Sequence, residues 1–287
     1  MSNSNILSPE KFTSYSTAWA NFIVGAGAND MRQLFQGPEA GQAQLYVSFD
    51  LVGTILPLLS TVGMAMVRTR FVLLPATADA DKQRPSFSIV VYAADAQGGR
   101  ISAYYLGTSQ YMDYGTQAKS CESMRPTKPV AAPDPADSGK PVVLDDDPTG
   151  NGMVPFNLAK TWICNWCWAV QDGSLDPALF ATTYGLLQGY DFEVGDFLDT
   201  LFQMKDLQVS SVRAIFGLKS YYPAYPESLA EPTSTFEVVI RPYSPAASTG
   251  LPLALPELAT RSHSLAGSGA SGGGSSYDQS TMYPPGL

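Results

Sequence analysis

Charge is scarce in this sequence. Asp, Glu, Lys and Arg make up 15% of its 287 residues, against roughly 25% in an average soluble protein. The basic residues are the scarcer: 17 Lys and Arg stand against 26 Asp and Glu, a net charge of −9. That balance argues against binding nucleic acid by phosphate neutralisation, which needs clustered Lys and Arg. It argues equally against docking on an anionic membrane. Histidine occurs once, at His263 in a Ser/Gly-rich tail. Metal centres built on several histidines, and Ser-His or Cys-His catalysis within a folded core, are therefore not expected. Cysteine occurs three times, at Cys121, Cys164 and Cys167, an odd count that does not read as a disulfide framework.

Other absences narrow the reading further. No apolar run approaches the ~20 residues of a spanning helix, so membrane insertion is not expected. The opening MSNSNILSPEKF has no basic stretch followed by an apolar one. The expected location is thus the cytoplasm, with export by a non-Sec route left open. No G-x-G-x-x-G follows a strand, and neither a P-loop nor a G-x-S-x-G elbow occurs. No catalytic, cofactor-binding or metal-binding residue is assigned, and no cofactor is expected.

What the sequence does contain is a phrase written twice. VRTRFVLL at 67–74 returns as VRAIFGLK at 212–219. Displacing the chain by 145 residues sets Leu34-Phe35 on Leu179-Phe180, Leu56 on Leu201, Val67-Arg68 on Val212-Arg213, Phe71 on Phe216 and Leu73 on Leu218. The same displacement matches Val47 with Phe192 and Phe49 with Val194. A slightly larger one brings Trp19 onto Trp166 and Phe87 onto Phe236. An ordered series of this kind reads as a tandem duplication.

Each half then follows one plan. A Trp-bearing amphipathic helix comes first, over 9–24 and 156–170. A short Leu-Phe helix, an alternating strand (LYVSFD or YDFEV) and a second helical segment (TILPLLSTV or DFLDTLFQM) follow. The Val-Arg strand and the FSIVVY or FEVVIR strand come last, as an antiparallel pair. RISAYYLGTSQYMDYG adds a further strand to the first half alone. Val, Phe and Leu of the repeated phrase alternate onto a buried face, and Arg68 and Arg213 point the other way. Those arginines form surface or interface ion pairs in one reading and anchor a ligand in the other.

The expected fold is α+β: two tandem pseudo-repeat modules, each a small antiparallel sheet packed with helices. Residues 1–117 form the first module and 154–245 the second. Residues 118–153 are a Pro/Asp/Gly-rich connector, and 246–287 an extended low-complexity C-terminal arm. Cys164-Asn165-Trp166-Cys167 has redox spacing, but its place inside a helix makes Cys164 and Cys167 buried, unbridged core residues. Asp145, Asp147, Thr149, Gly150 and Asn151 resemble half a calcium loop without its closing Glu, and read as a solvated acidic turn. Asp196 and Asp199 read as helix-start caps rather than an acid–base pair.

The function expected from these features is a structural or interaction protein. It self-associates into a regular homo-oligomeric or filamentous assembly, and its partner is itself, contacted through an exchanged C-terminal arm. The alternative is a binding module or enzyme acting on a neutral small molecule or glycan in the cleft between the repeats. Trp162, Trp168 and Tyr104 would supply its aromatic contacts.

Overall fold

Local sequence signals start the helices. In the computed structural model, which describes residues 5–76, 84–122, 153–154, 156–182, 185–195, 197–198, 209–221, 233–243, 276–277 and 281–282, α1 spans Pro9–Gly25. Ser8 caps it by accepting from the Lys11 amide at 3.3 Å, and Pro9 occupies the first turn, where no amide is needed. Asp30 accepts from the Gly27 amide at the start of α2, Ala28–Phe35. A π-turn over Leu51–Ile55 leads into the short α3, Leu56–Leu59. Helices α4 (Tyr114–Cys121) and α5 (Phe156–Asp172) follow, then a 3-10 turn over Pro177–Phe180.

The strands, in chain order, are β1 (Ile6–Leu7), β2 (Gln42–Asp50), β3 (Met66–Leu74), β4 (Ser86–Ala94), β5 (Tyr104–Leu106), β6 (Thr108–Asp113) and β7 (Met153–Val154). The rest are β8 (Ala181–Thr182), β9 (Gly185–Leu186), β10 (Gly189–Glu193), β11 (Ser211–Tyr221), β12 (Thr233–Tyr243), β13 (Ser276–Tyr277) and β14 (Thr281–Met282). They build two six-stranded antiparallel sheets, ordered β1-β5-β4-β3-β10-β14 and β6-β2-β11-β12-β13-β7. The small β8-β9 pair stands apart. The fold is thus mixed α+β with two antiparallel sheets and few helices.

The hairpin β3–β4 is joined by β10, whereas the hairpin β11–β12 is joined by β2. Each repeated-phrase strand therefore pairs with a strand from the other half of the chain. The registers agree: Phe192 faces Val67, and Phe49 faces Val212. This sets Phe49 in the place of Phe192, two residues away from the match of Val47 with Phe192 that the sequence suggests.

The inward faces of the two sheets meet in one buried cluster. Val67, Phe71, Leu73, Val212, Phe216 and Leu218 all belong to it, as their period-two spacing requires. At its centre are eight rings: Trp19, Phe35, Phe71 and Phe87, with Trp166, Phe180, Phe216 and Phe236. Trp19 meets Phe87 at 4.9 Å, and Trp166 meets Phe236 at 5.3 Å. Phe71 meets Phe236 at 5.5 Å, and Phe87 meets Phe216 at 5.5 Å. Trp19 meets Phe180 at 5.1 Å, and Phe35 meets Trp166 at 5.0 Å. The indole N–H groups also cross between halves. Trp19 donates to the Leu187 carbonyl and Trp166 to the Gln44 carbonyl, each at 3.3 Å.

The segment expected as one added strand is instead two, divided at Gly107. β5 lies in the first sheet and β6 in the second. A side chain at Gly107 would press on Val47 Cγ1 and meet ring atoms of Phe49 at 2.8 Å. Gly107→Ala is therefore expected to cost about 2 kcal/mol through overpacking, read as a lower denaturation midpoint. An unchanged midpoint would show that the two strands accommodate a methyl group.

Candidate functional site

The outward side of the repeated phrase carries the clearest polar cluster among the described residues. β10 places Asp191 directly opposite Arg68. Its carboxylate holds Arg68 Nε at 3.1 Å and Arg70 Nη1 at 2.7 Å. All three side chains are largely buried, at 12%, 8% and 8% exposure. Arg68 also donates to the Gly98 carbonyl at 2.9 Å, and Arg70 to the Thr69 carbonyl at 2.6 Å. Gly98 has φ +82° in a tight turn, and a side chain there would meet Arg68 Nη2 at 2.9 Å.

A cavity of about 250 Å³ opens beside this cluster, with Phe12, Ser16, Tyr92 and Gln188 on its walls. Tyr104 stacks on Phe12 at 4.0 Å and meets Tyr92 edge-on at 5.1 Å. Burial raises the Tyr92 phenol above its ordinary range, and Arg70 and Arg68 partly counter that rise. The arrangement can hold a small polar molecule against an aromatic wall.

The second arginine of the phrase has different company. Ser48, not an acid, lies opposite Arg213. Its guanidinium sits over the rings of Tyr46 at 4.5 Å and Tyr243 at 3.2 Å, a cation–π arrangement. Arg241 is its neighbour across the β11–β12 pair, and burial pushes Arg241 down to about 10. Arg68 thus forms an ion pair that bridges the two halves, while Arg213 is held by aromatic rings.

The other sequence candidates fall in several places. Trp162 and Trp168 are 4% and 7% exposed, so neither presents a ring to a ligand. Asp145, Asp147, Thr149, Gly150, Asn151, Asp196 and Asp199 lie outside the described residues. Among the described residues, no three His, Cys, Asp or Glu side chains gather as a metal site would need.

The expectation that Cys164 and Cys167 are both unbridged is corrected for one of them. Cys164 is disulfide-bonded to Cys121. Helix α4 packs on α5 and sets Cys121 beside the first cysteine of the C-x-x-C. Cys167 is free and buried, and burial pushes its thiol up to about 12. The bridge spans a sequence separation of 43 residues, a closure that stabilises by about 4 kcal/mol in the chain-entropy account.

The sheet edges gather strands from distant parts of the sequence. β14 pairs with β10 through Tyr190–Met282 and Asp191–Thr281. β13 pairs with β12 through Ile240–Tyr277, and β7 pairs with β13 in turn. Four residues from the far C-terminal part of the sequence thereby add to both sheets. No family model matches this chain, and neither a curated protein nor a solved structure matches it.

Two outcomes are expected. Asp191→Asn leaves two buried guanidinium groups facing a neutral amide and should cost about 3 kcal/mol. A loss under 1 kcal/mol in chemical denaturation would make the pair dispensable. In the native state at pH 8, iodoacetamide should label no cysteine, because Cys167 is buried and un-ionised. Unfolding should expose one thiol per chain, and unfolding with reduction three. Three thiols without reductant would rule out the bridge.

Proposed function

We propose that this protein is a structural or interaction protein that assembles with copies of itself. The observation that supports the reading is the addition of β13 and β14 to β12 and β10. Strand edges carry unpaired amide and carbonyl groups, and an added strand from any chain satisfies them. Residues 244–275 separate β12 from β13, a stretch that reaches up to about 100 Å when extended. That reach far exceeds a radius of gyration of about 20 Å for a chain of this size. The arm is therefore long enough to reach a second copy, and in this proposal it exchanges between subunits. A charge-poor surface lowers the desolvation cost of such contacts.

The chain is read, in the same proposal, as a tandem duplication whose halves have traded strands. The paired ring contacts and the paired indole bonds support this, since each contact of one set of four rings has a partner in the other.

A second reading, a binding module for a small molecule, is favoured by the cavity beside Arg68 and Arg70. The space between the sheets is filled by rings, so this outer face is the better place for a ligand than a cleft between repeats.

Deleting residues 266–287 tests the first reading. The truncated chain should fold and stay soluble, but half-assembly should need at least about tenfold more protein. A few backbone hydrogen bonds, at about 1 kcal/mol each, set that scale. Mass in solution across a concentration series, with electron micrographs, reads the result. Equal assembly of the two chains, or a full-length chain that stays monomeric, would sink the proposal.

A further inference from the structure

One surface stands out from the rest of this acidic chain. Between Asp50 and Arg68 the sequence carries no charge at all: LVGTILPLLSTVGMAMV. The corresponding stretch of the second half, from 196 to 207, carries Asp196, Asp199, Lys205 and Asp206. The uncharged stretch is not hidden. Thr54, Ile55 and Leu58 anchor it to the core, while Val52, Leu56 and Val62 are 71%, 47% and 93% exposed. Pro57 is exposed beside them. Isolated surface apolar residues are ordinary, but several on one charge-free turn-helix-turn mark a contact surface.

Its position bears on the occupant. The Leu51 amide donates to the Ser210 carbonyl at 3.0 Å, and the Ser210 amide donates to the Tyr243 carbonyl at 2.9 Å. Tyr243, Ser211 and Asp50 are aligned across neighbouring strands. The chain therefore leaves β12 for its C-terminal arm two strand spacings, about 10 Å, from where the apolar surface begins. A second copy seated on that surface would lie beside the end of β12, next to where the arm begins. Copies of this chain, each with a net charge of −9, repel one another, and they approach at least electrostatic cost where neither presents charge.

We infer that Leu51–Val62 is the docking surface for a second copy of this chain, meeting the same surface on its partner. An isologous contact of this kind uses one patch twice. It holds the two copies so that the arm of each starts beside the other. This rests on the self-association reading and gives it a location.

The experiment compares sedimentation of three proteins over a concentration series: the full chain, the double variant Val52→Asp/Val62→Asp, and the chain lacking 266–287. Both substituted positions face solvent, so the variant should keep the full chain's denaturation midpoint. It should need at least about tenfold more protein to associate, even with its arm intact. If the variant associates like the full chain while truncation weakens association, the docking surface is wrong and the arm reading survives. If the variant weakens association and truncation does not, the surface stands and the arm reading fails. A full chain that stays monomeric throughout overturns both. A last arm uses the hydrophobic dye ANS. Dye binding that appears only on removing 246–287, and vanishes with the two aspartates, would assign the cover to the chain's own tail and overturn the second-copy assignment.

Discussion

The structure depends on a cluster of eight aromatic rings between two sheets. None of its members is more than 1% exposed. Edge-to-face pairs are worth about 0.5–1.5 kcal/mol beyond their burial, and this cluster is built mainly from such pairs. Two constraints follow. An indole buried this deeply must place its N–H on an acceptor, and both Trp19 and Trp166 do so on a backbone carbonyl of the other half. The Phe87 and Phe236 carbonyls also accept buried side-chain bonds. Gln44 Nε2 satisfies the first at 3.0 Å and the Tyr190 hydroxyl the second at 2.6 Å. The apolar centre is thus closed by polar bonds: the two indole bonds run from half to half, and the Gln44 and Tyr190 bonds run from sheet to sheet.

That closure fits the placement of β2 beside β11 and of β10 beside β3. Gln44 lies in β2 and Tyr190 in β10, the strands that sit in the opposite hairpin's sheet. From those sheets each reaches across the core to a carbonyl of the facing sheet, Gln44 to Phe87 and Tyr190 to Phe236, and a buried donor left without its acceptor would cost about 1–3 kcal/mol. Asp191 adds the same constraint on the outer face, because its partners Arg68 and Arg70 belong to the other half. A sheet assembled this way has long-range pairing throughout, so neither hairpin completes its sheet alone.

Periodicity made much of the local structure legible. Helices expected over 9–24 and 156–170 run over Pro9–Gly25 and Phe156–Asp172. The strand pairs of the repeated phrase formed in the register that aligns Phe87 with Phe236. The inward Val, Phe and Leu followed from a period of two. What periodicity does not carry is the identity of a strand's neighbour. A residue's face depends on its own strand, whereas its partner depends on the whole topology. For that reason the pairing of β2 with β11 and of β10 with β3 was not visible, nor was the division at Gly107. The two arginines show the same limit. Arg68 and Arg213 share a phrase and a face, but the neighbouring strand sets Asp191 opposite the first and Ser48 opposite the second. The disulfide was missed because cysteine spacing along the chain carries no information on the approach of α4 to α5.

A core this full also bears on where function resides. Among the described residues, ring packing fills the space between the two sheets. Surfaces free to act are peripheral: the outer face around Arg68 and Arg70, the sheet edges, and the uncharged stretch after β2. The first is largely tied up in its own ion pair, since a carboxylate already bridges the two guanidinium groups. The other two share a boundary, because the last residue of β12 connects through Ser210 to the first residue of that stretch. Backbone edges that accept a strand, beside an apolar surface without charge, are the features on which the self-association proposal rests. The physical chemistry of the periphery therefore points in the same direction as the composition from which charge is missing.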